Sequence, residues 1–445
     1  MNDISEIKKY VEENFRDFGV NKKQETERLL YEIAKREKID FKKVAGDLSE
    51  EAVDFWQIKK YLLERRFPAA VKSAPNANYY LPALDIKKDC EVKITGGEIN
   101  PKRVYIEEAV SQSYLAKKIK AKFQDAEFIN IPSLKQHIKS KKFDLKDYNE
   151  RRDNFFIVKE KYDFFKKCPC TKGALSCGYH IFNLGSGCIF ECTYCYLQDY
   201  INAPGIILPA NIEDFFASFD KYNCKMRLGT GEFADSLALD DITGFSPLLV
   251  EFFSRHPQCV FELKTKSNNV DTLLGADAVK NVVVAWSLNP EKIIGENEFY
   301  SANLTGRLEA ARKCVDKGFD VAFHFDPIVY YEGWERDYED VVNLLFDKIE
   351  ARRVRWISLG TFRFYRGLKK VIENRFPASN ILDGELFPGY DGKMRYAENV
   401  RLDIYKKMLG WIRKRAKDVF VYLCMENKDI CGECGSAKIK TDIWQ

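Results

Sequence analysis

From about residue 180 onward, short apolar runs rich in β-forming residues alternate with longer amphipathic segments. The runs are HIFNLG, KMRLGTG, VFELKTK, VVVAWSLN, VAFHFDPIVY and VRWISLGTF, and helix-like stretches such as 301–317 and 335–352 lie between them. Strands that alternate with helices predict parallel βαβ units. These units fit an α/β fold, a partial (β/α)6 barrel over residues 179–420. In such barrels the chemistry gathers at the carboxyl ends of the strands.

Residues 1–95 predict a helical accessory region. Apolar residues recur there at helical spacing in two stripes, which are Leu29, Leu30 and Ile33, then Phe55, Ile58 and Leu62. Ser49 with the following Glu50 and Glu51 predicts the start of the second helix, and Pro68 predicts its end. The stretch SAPNAN, residues 73–78, predicts a linker.

Two further segments complete the predicted organisation. Residues 96–178 predict a mixed α/β segment with a cysteine-rich end, in which RVYIEEA and FFIVKEKY are strands and YLAKKIKAKF is a basic helix. Residues 421–445 form a C-terminal tail that contains cysteines.

The composition predicts a globular chain without a membrane partner. Of the 445 residues, 45% are hydrophobic and 31% are charged, which allows two or three domains with sizeable cores. No stretch reaches the roughly 18 to 20 consecutive apolar residues that a membrane span needs. The first residues, MNDISEIKKYVEENF, are charged and lack an apolar signal region. We therefore expect a soluble cytoplasmic protein.

Positive charge is concentrated in one part of the chain, although the net charge is only +4. Residues 101–167 contain 17 lysines and arginines against 10 aspartates and glutamates. Such a segment can neutralise nucleic-acid phosphates, and it can equally be a solvated surface. Charge alone does not decide between the two.

Thirteen cysteines are many for a protein of a reducing compartment. Four stand alone and are expected to pack in the core: Cys90, Cys224, Cys259 and Cys314. The remaining nine are bunched between residues 168 and 195 and between 424 and 434. Bunched cysteines in such a compartment indicate metal or redox chemistry rather than disulfides.

The segment GSGCIFECTYCYLQ, residues 185–198, predicts an iron–sulfur site. Cys188, Cys192 and Cys195 follow a C-x3-C-x2-C spacing, so three thiolates can bind three irons of a [4Fe–4S] cluster. The fourth iron is then open to an exogenous ligand. Gly185 and Gly187 let the loop approach the cluster closely. A zinc site is the alternative, but zinc usually takes four ligands in paired C-x2-C units.

This loop, placed after the first barrel strand, resembles the radical S-adenosylmethionine superfamily. The resemblance implies that the open iron binds the amino and carboxylate groups of S-adenosylmethionine. One-electron reduction then releases a 5′-deoxyadenosyl radical. The cofactors carry this chemistry, and the protein supplies orientation and excludes water.

A closer resemblance is to the spore photoproduct lyase family. It rests on CTYCYLQ together with PKRVYIEEA, TKSNNVDTLL, RLEAARK, DPIVYYEGW and YLCMEN, and it covers roughly residues 100–430. The resemblance implies repair of a thymine–thymine lesion in DNA by hydrogen abstraction, bond cleavage and hydrogen return. It also implies two partners, damaged DNA and an electron donor such as flavodoxin or ferredoxin. An enzyme that acts on such a lesion must extrude it from the duplex.

The same resemblance implies roles for five residues. Tyr194 should lie against the adenine of S-adenosylmethionine, and Tyr196 should relay hydrogen. Lys266 should contact the S-adenosylmethionine carboxylate, and Ser287 and Asn289 should lie near the ribose. Packing and solvation are the ordinary alternatives for each of them.

The chain departs from the family at the hydrogen donor. The family has a cysteine in a string like A-C-T-S-D, whereas the aligned string here is GEFAD, with Glu232 at the cysteine position. A carboxylic acid cannot donate a hydrogen atom as a thiol does. The pair Gly231-Glu232 instead resembles a motif that holds the ammonium group of S-adenosylmethionine, a charge-assisted contact.

A second departure is a set of extra cysteines. They predict an auxiliary iron–sulfur cluster or a zinc ion bound by Cys168, Cys170, Cys177, Cys431 and Cys434. Cys424 lies in the family-like string YLCMEN, so it is either a sixth ligand or a packing residue.

Three functions remain open from the sequence. The first is a lyase that repairs damaged pyrimidines in DNA. The second is a radical enzyme of the same lineage with another substrate, such as a modified nucleotide or a peptide. The third is a non-catalytic protein that keeps the cluster as a structural or redox-sensing element. The third would not need Glu232, Lys266 and Asn289 at strand ends.

Overall fold

A computed structural model of the chain describes residues 3–48, 54–69, 78–139, 141–161, 166–199, 205–220 and 225–435. The chain forms two compact units. The first comprises Met1–Val92 and Arg363–Arg401, and the second comprises Lys93–Phe362 and Leu402–Gln445. Residues 363–401 therefore group with the N-terminal helices, although the strand–helix alternation assigns them to the barrel. None of the helices in the described ranges combines the length and apolar character needed to cross a membrane.

The first unit packs helices with a small antiparallel sheet. Its helices are α1 (Ile4–Asn14), α2 (Val20–Glu37), α3 (Phe41–Gly46), α4 (Phe55–Arg66) and α15 (Arg366–Arg375). Its strands, in sheet order, are β14 (Arg363–Tyr365), β16 (Lys393–Tyr396) and β15 (Leu386–Pro388). Both predicted apolar stripes are confirmed, since residues of each contribute to one buried core.

Helix α4 is capped at both ends by local sequence. The Asp54 side chain accepts hydrogen bonds from the backbone N–H groups of Trp56 and Gln57, a capping box that begins the helix. The helix ends at Arg66, before Pro68, as predicted. The predicted start at residues 49–51 and residues 73–77 of the predicted linker lie outside the described residues.

Buried ion pairs join the N-terminal helices to residues 363–401. The Glu32 carboxylate lies 2.6 Å from the Lys369 ammonium and 2.8 Å from the Arg66 guanidinium. Arg28 lies 2.5 Å from Glu373. Burial alone would raise the pKa of Glu32, but Lys369, Arg66 and Arg28 together lower it. Arg66 and Glu32 pair within the N-terminal segment, whereas Glu373 and Lys369 gain their partners only when the two chain segments are together.

The second unit contains a parallel four-stranded sheet. In sheet order its strands are β2 (Glu127–Ile131), β1 (Arg103–Glu107), β3 (Asn154–Val158) and β7 (Ile206–Pro209). Its helices include α5 (Tyr114–Lys122), α6 (Leu134–Ile138) and α7 (Leu145–Asn149). The two strands and the basic helix predicted before residue 165 are confirmed as β1, β3 and α5, whereas β2 and β7 were not predicted.

The larger sheet of this unit is the open half-barrel. In sheet order its strands are β17 (Val421–Leu423), β13 (Val354–Thr361), β12 (Asp320–Ile328), β10 (Val282–Ser287), β9 (Cys259–Thr265), β8 (Met226–Gly229), β5 (Tyr179–Ile181) and β4 (Lys166–Lys167). All six predicted strands are present and parallel. Parallel β17 and antiparallel β4 form the two edges and were not predicted.

Helices connect and follow these strands, as the alternation predicts. They are α8 (Ile212–Phe219), α9 (Asp240–Thr243), α10 (Phe245–Ser254), α11 (Asp271–Leu274), α12 (Glu291–Asn297), α13 (Leu304–Lys317), α14 (Trp334–Lys348), α16 (Glu398–Arg415) and α17 (Lys428–Glu433). The predicted helices 301–317 and 335–352 correspond to α13 and α14 with shifted ends. The predicted (β/α) half-barrel is therefore confirmed.

A polar network links neighbouring strands of the half-barrel. The Glu262 carboxylate bonds to Arg227 at 2.8 Å and to Nε2 of His324 at 2.6 Å. Nδ1 of His324 lies 2.6 Å from the Ser358 hydroxyl. Burial, together with Lys264, lowers the pKa of His324 from 6.5 to about 4. His324 is therefore neutral near pH 7, with Nε2 donating to Glu262 and Nδ1 accepting from Ser358.

This network predicts a pH-dependent stability. Below pH 6.5 the unfolded chain binds a proton at His324 that the folded chain excludes until about pH 4. The contribution of His324 to the free energy of unfolding is therefore fully present above pH 6.5. It falls as the pH is lowered, and about 3 kcal/mol is lost at pH 4. His324→Gln, which keeps one donor and one acceptor, should flatten the dependence of the urea midpoint on pH between 7.5 and 4.5. An unchanged slope in the variant would contradict the assignment.

Candidate active site

The cysteine loop begins shortly after strand β5, at the carboxyl end of the half-barrel. Gly185 and Gly187 have φ values of +144° and +89°, which favour glycine. A Cβ at Gly185 would lie 2.5 Å from the Ile207 carbonyl oxygen, and one at Gly187 would lie 3.0 Å from the Gly205 carbonyl oxygen. The loop can therefore approach strand β7 only because both residues lack a side chain.

Arg151 fixes the backbone of the cysteine loop. Its guanidinium donates to the carbonyl oxygens of Cys188 at 3.0 Å and Phe190 at 2.7 Å, and it forms a salt bridge with Glu191. Arg151 and Glu191 are each only 2% exposed. The charge pair thus fixes two backbone carbonyls of the loop. No sequence pattern indicated this role, because the arginine lies 37 residues before the first cysteine.

The three predicted thiols lie on this one loop, and none forms a disulfide. Cys192 is buried, and Cys188 and Cys195 are half-buried. Burial raises the pKa of each thiol, for Cys188 to about 12. In the described ranges no three His, Cys, Asp or Glu side chains are gathered as ligands of a single metal ion. Three free thiols at a C-x3-C-x2-C spacing on one loop fit three irons of a [4Fe–4S] cluster, whereas zinc usually takes four ligands.

A buried carboxylate lies directly against the loop. Short strands β6 (Glu191–Cys192) and β11 (Glu298–Phe299) pair antiparallel, which places Glu298 opposite Cys192. The Glu298 carboxylate accepts hydrogen bonds from the Tyr194 hydroxyl and from Asn289 Nδ2 at 2.8 Å. It also pairs with Arg307 at 2.5 Å. Burial would raise the pKa of Glu298, but Arg307 and Lys266 lower it to about 2.

The predicted residue Lys266 lies in the same cluster. Its ammonium is 5.6 Å from the centre of the Tyr194 ring. Burial alone would lower the pKa of Lys266, but Cys192 and Glu298 raise it overall. The residue therefore brings a positive charge to the cysteine loop, where thiolates and a bound anion would need one.

Ser287 and Asn289 lie at the carboxyl end of β10, as predicted, and both are buried. The Ser287 carbonyl oxygen accepts from Arg307 at 2.8 Å. The Asn289 side chain is already bonded at both ends, because its Oδ1 accepts from the Tyr338 hydroxyl at 2.7 Å and its Nδ2 donates to Glu298. Within the described ranges, Glu298 is the acceptor recorded for the Asn289 amide nitrogen, which carries two N–H groups.

Tyr196 and Glu232 are neighbours in the structure. The Tyr196 hydroxyl donates to the backbone oxygen of Glu232 at 2.5 Å. The Glu232 side chain is half-buried, and burial raises its pKa while Lys166 lowers it. The structure thus brings the predicted hydrogen relay beside the position that departs from the family.

Asp235, in the same string GEFAD, ties the end of β8 to the end of β9. Its carboxylate accepts from the Thr265 hydroxyl at 2.6 Å and from the Lys266 backbone N–H at 2.7 Å. It therefore helps to orient Lys266. Neither Asp235 nor the pair of Glu298 and Arg307 was predicted from the sequence.

The other cysteines fall into separate groups. Cys90, Cys259 and Cys314 are buried, as predicted, and Cys224 lies outside the described residues. The thiols of Cys168, Cys170, Cys177 and Cys424 are electrostatic neighbours. Cys431 is buried in α17, and Cys434 is half-buried near Lys406 and Glu426. The predicted auxiliary site stays a prediction.

The profile of the family described as spore photoproduct lyase matches residues 99–397 of this chain. The chain belongs to the spore photoproduct lyase family. The members are radical S-adenosylmethionine enzymes whose cofactors are a [4Fe–4S] cluster and S-adenosylmethionine, so the family resemblance and these cofactors are confirmed. Cys188, Cys192 and Cys195 are the residues that fit the cluster here.

Curated spore photoproduct lyases are similar to the chain along different lengths. The protein of Bacillus subtilis (strain 168) is 28% identical over 306 residues, which are 64% of this chain and 85% of the relative. That of Geobacillus sp. (strain Y412MC61) is 30% identical over 211 residues, 44% of this chain and 60% of the relative. The matched part thus spans less than two thirds of the Geobacillus protein.

Solved structures show the same fold. A spore photoproduct lyase complexed with dinucleoside spore photoproduct has a TM-score of 0.64 and 25% identity, and the match covers 73% of this chain and 99% of that chain. A mutant of the lyase with bound AdoMet and the dinucleoside spore photoproduct has a TM-score of 0.64 and 24% identity, covering 74% of this chain and 100% of that chain.

Proposed function

We propose that the protein cleaves S-adenosylmethionine reductively and uses the resulting radical to repair a thymine lesion in DNA. The bound cluster supplies the electron that converts S-adenosylmethionine to a 5′-deoxyadenosyl radical. The observation that carries the proposal is the grouping of the cysteine loop with Lys266, Tyr194 and Glu298 at the carboxyl end of the half-barrel. A cluster that served only for redox sensing would not need these charged residues around it.

In this proposal, different residues of the chain bind the cluster and S-adenosylmethionine. Cys188, Cys192 and Cys195 bind three irons. The Lys266 ammonium pairs with the carboxylate of S-adenosylmethionine, a charge-assisted contact. Glu298 positions Tyr194, whose ring is the platform for the adenine, through its bond to the Tyr194 hydroxyl.

Three further residues complete the cofactor site in this proposal. Ser287 and the Asn289 amide face the ribose. The half-buried Glu232 carboxylate pairs with the ammonium group of S-adenosylmethionine. Burial raises the pKa of Glu232, and a cation beside the carboxylate would oppose that rise.

Tyr196 is the proposed hydrogen relay. Its hydroxyl is fixed on the Glu232 backbone oxygen at 2.5 Å, so the phenol is held next to the position where the family has a thiol. After the substrate bond breaks, the Tyr196 phenol would return a hydrogen atom to the product radical, and the resulting tyrosyl radical would regain one from 5′-deoxyadenosine. The 5′-deoxyadenosyl radical formed in this way would recombine with methionine, which restores S-adenosylmethionine and gives back the electron.

The proposed reaction also requires two partners, DNA and an electron donor. Lys117 and Lys120 are exposed on helix α5 in the basic segment and are suitable for phosphate contacts. A reducing cytoplasm with a flavodoxin or ferredoxin would supply the electron.

An anaerobic assay tests the proposal. The reconstituted, reduced protein is incubated with S-adenosylmethionine and dinucleoside spore photoproduct, and 5′-deoxyadenosine and released thymidines are counted per chain. Restoration of thymidines supports lesion repair. Deoxyadenosine without restored thymidines would remove the lesion from the proposal and keep the radical chemistry. The absence of both deoxyadenosine and restored thymidines at full iron loading would contradict both parts of the proposal.

Glu232 favours a second candidate function, a radical enzyme of the same lineage with a different substrate. The lyase's thiol is replaced by a carboxylate, so the reaction that this site catalyses need not end in hydrogen return from cysteine. A modified nucleotide or a peptide would then take the place of the thymine lesion.

Substitution at Glu232 separates the two candidates. Glu232→Cys and Glu232→Ser both remove the carboxylate, and both should form less 5′-deoxyadenosine. Only the cysteine variant gains a hydrogen donor. If the substrate is the lesion, thymidine restored per deoxyadenosine should be roughly tenfold higher for Glu232→Cys than for Glu232→Ser. Equal ratios would mean that a thiol at this position does not serve the reaction.

A further inference from the structure

The open side of the half-barrel is crossed by a short cysteine-rich segment. Strands β4 and β17 are the two edges of the sheet. Residues 168–178 follow β4 and reach the chain just beyond β17. The Leu175 N–H donates to the Glu426 carbonyl oxygen at 3.0 Å, and Ala174 pairs with Asn427 in an antiparallel bridge. The segment therefore connects both edges of an otherwise open sheet.

Four cysteines meet where the edges are joined. The Cys168 N–H bonds to the Tyr179 carbonyl oxygen at 2.9 Å, which fixes Cys168 beside β5. A hydrogen bond with the Cys170 thiol, then burial, then the neighbouring thiols of Cys170, Cys424 and Cys177 raise the pKa of Cys168. Cys424 follows β17, where its N–H bonds to the Leu359 carbonyl oxygen at 2.7 Å.

The cysteine-rich segment packs against a buried part of the half-barrel. Cys177 packs, with Leu175 and Phe420, against a buried cluster that includes Trp356 and Tyr422. Tyr422 lies two residues before Cys424 on the same strand. The four thiols thus come from both edges of the sheet but are supported by one piece of core.

A buried arginine beside the thiols has two guanidinium nitrogens without a hydrogen-bond partner in the described part of the chain. Arg227 is 1% exposed, and its Nη2 donates to Glu262 and to the Tyr422 hydroxyl. Its Nε and Nη1 have no hydrogen-bond partner among the described residues. Cys177 is an electrostatic neighbour of this guanidinium. Glu262 already balances one positive charge, so the two unpaired N–H groups are suited to further anionic acceptors such as metal-bound thiolates.

We infer that Cys168, Cys170, Cys177 and Cys424 bind a second metal centre, an iron–sulfur cluster or a zinc ion held by four thiolates, which clips the two edges of the half-barrel together. Three thiols of one short segment together with a distant fourth ligand can cross-link a chain through such a centre. In the described ranges no three His, Cys, Asp or Glu side chains are gathered closely enough to hold a metal ion, so the four thiols must move together when the metal binds.

This set differs from the one predicted from the sequence. Cys424 takes the place of Cys431 and Cys434. Cys431 is fully buried within α17, and the charged neighbours of Cys434 are Lys406, Glu433 and Glu426 rather than another thiol.

Metal content of the full chain tests the inference without reference to activity. Cys188→Ser, Cys192→Ser and Cys195→Ser are combined to remove the loop cluster, and the protein is purified anaerobically after expression with iron and zinc supplied. Iron, zinc and acid-labile sulfide are counted per chain. Iron with sulfide identifies a second cluster, and about one zinc per chain identifies a zinc site; either supports the inference.

Two further variants in that background locate the metal. Cys424→Ser should remove at least about nine tenths of it, and Cys431→Ser, the matched control, should retain it. Circular dichroism of each variant establishes that the chain remains folded. The inference is overturned if the triple variant carries no metal, if its metal survives Cys424→Ser, or if Cys431→Ser alone removes it. A disulfide between Cys168 and Cys170 in the metal-free wild type would also overturn it.

Discussion

Replacing Cys192 with alanine should abolish cluster assembly on the loop and reduce 5′-deoxyadenosine formation on the order of 1,000-fold or more. Cys192 is the buried member of the three loop thiols, and it lies on β6 opposite Glu298. Its loss removes one of only three protein ligands. The cofactor carries the difficult chemistry, so residues that merely bind substrate cannot compensate.

Cys314→Ala is the matched control for this prediction. Cys314 is also a buried, free cysteine, but it lies in helix α13. Iron content, visible absorbance and deoxyadenosine formation are measured for both variants after anaerobic reconstitution. Retention of wild-type activity by Cys192→Ala, or an equal loss in Cys314→Ala, would contradict the assignment of the loop.

Replacing Arg151 with methionine should lower the free energy of unfolding by about 3–5 kcal/mol. The substitution keeps much of the side-chain volume but leaves Glu191 as an unpaired charge that is 2% exposed. It also removes the donors to the Cys188 and Phe190 carbonyl oxygens. Urea unfolding of the cluster-free protein measures the loss without a contribution from iron.

Two comparisons separate the charge pair from general damage. Arg312→Met removes an exposed ion pair with Asp316 and should change stability by less than about 1 kcal/mol. Adding Glu191→Gln to Arg151→Met should restore part of the loss, because the uncompensated charge disappears. If the double variant is no more stable than the single one, the lost carbonyl contacts dominate instead.

The sequence was sufficient for the half-barrel because its apolar, β-rich runs alternate regularly with amphipathic helices. It did not reveal β17, since Val421–Leu423 is too short to show a period, or β4, which is a two-residue edge. It also assigned residues 363–401 to the barrel. Their grouping with the N-terminal helices depends on ion pairs such as Arg28 with Glu373, which no local pattern shows.

The candidate site was predictable where its reactive residues lie close together in the sequence and form a motif. The cysteine loop is of this kind, and the family resemblance supplied Tyr194 and Lys266. Glu298 and Arg307 could not be predicted in this way, because they reach the loop only through the pairing of β6 with β11. Cys424 was ambiguous for the same reason, since its neighbours among the thiols lie more than 240 residues earlier.

The split of the first unit into two chain segments has a consequence for synthesis on the ribosome. Helices α1–α4 emerge early, but Arg28 and Glu32 gain their partners Glu373 and Lys369 only after some 340 further residues have been made. Contacts of such long sequence separation form late and slow folding. Until the half-barrel strands up to β13 have been made, the N-terminal helices therefore lack these two partners and leave part of their apolar surface uncovered, although Arg66 can already pair with Glu32. This interval is when the nascent chain most needs protection from aggregation.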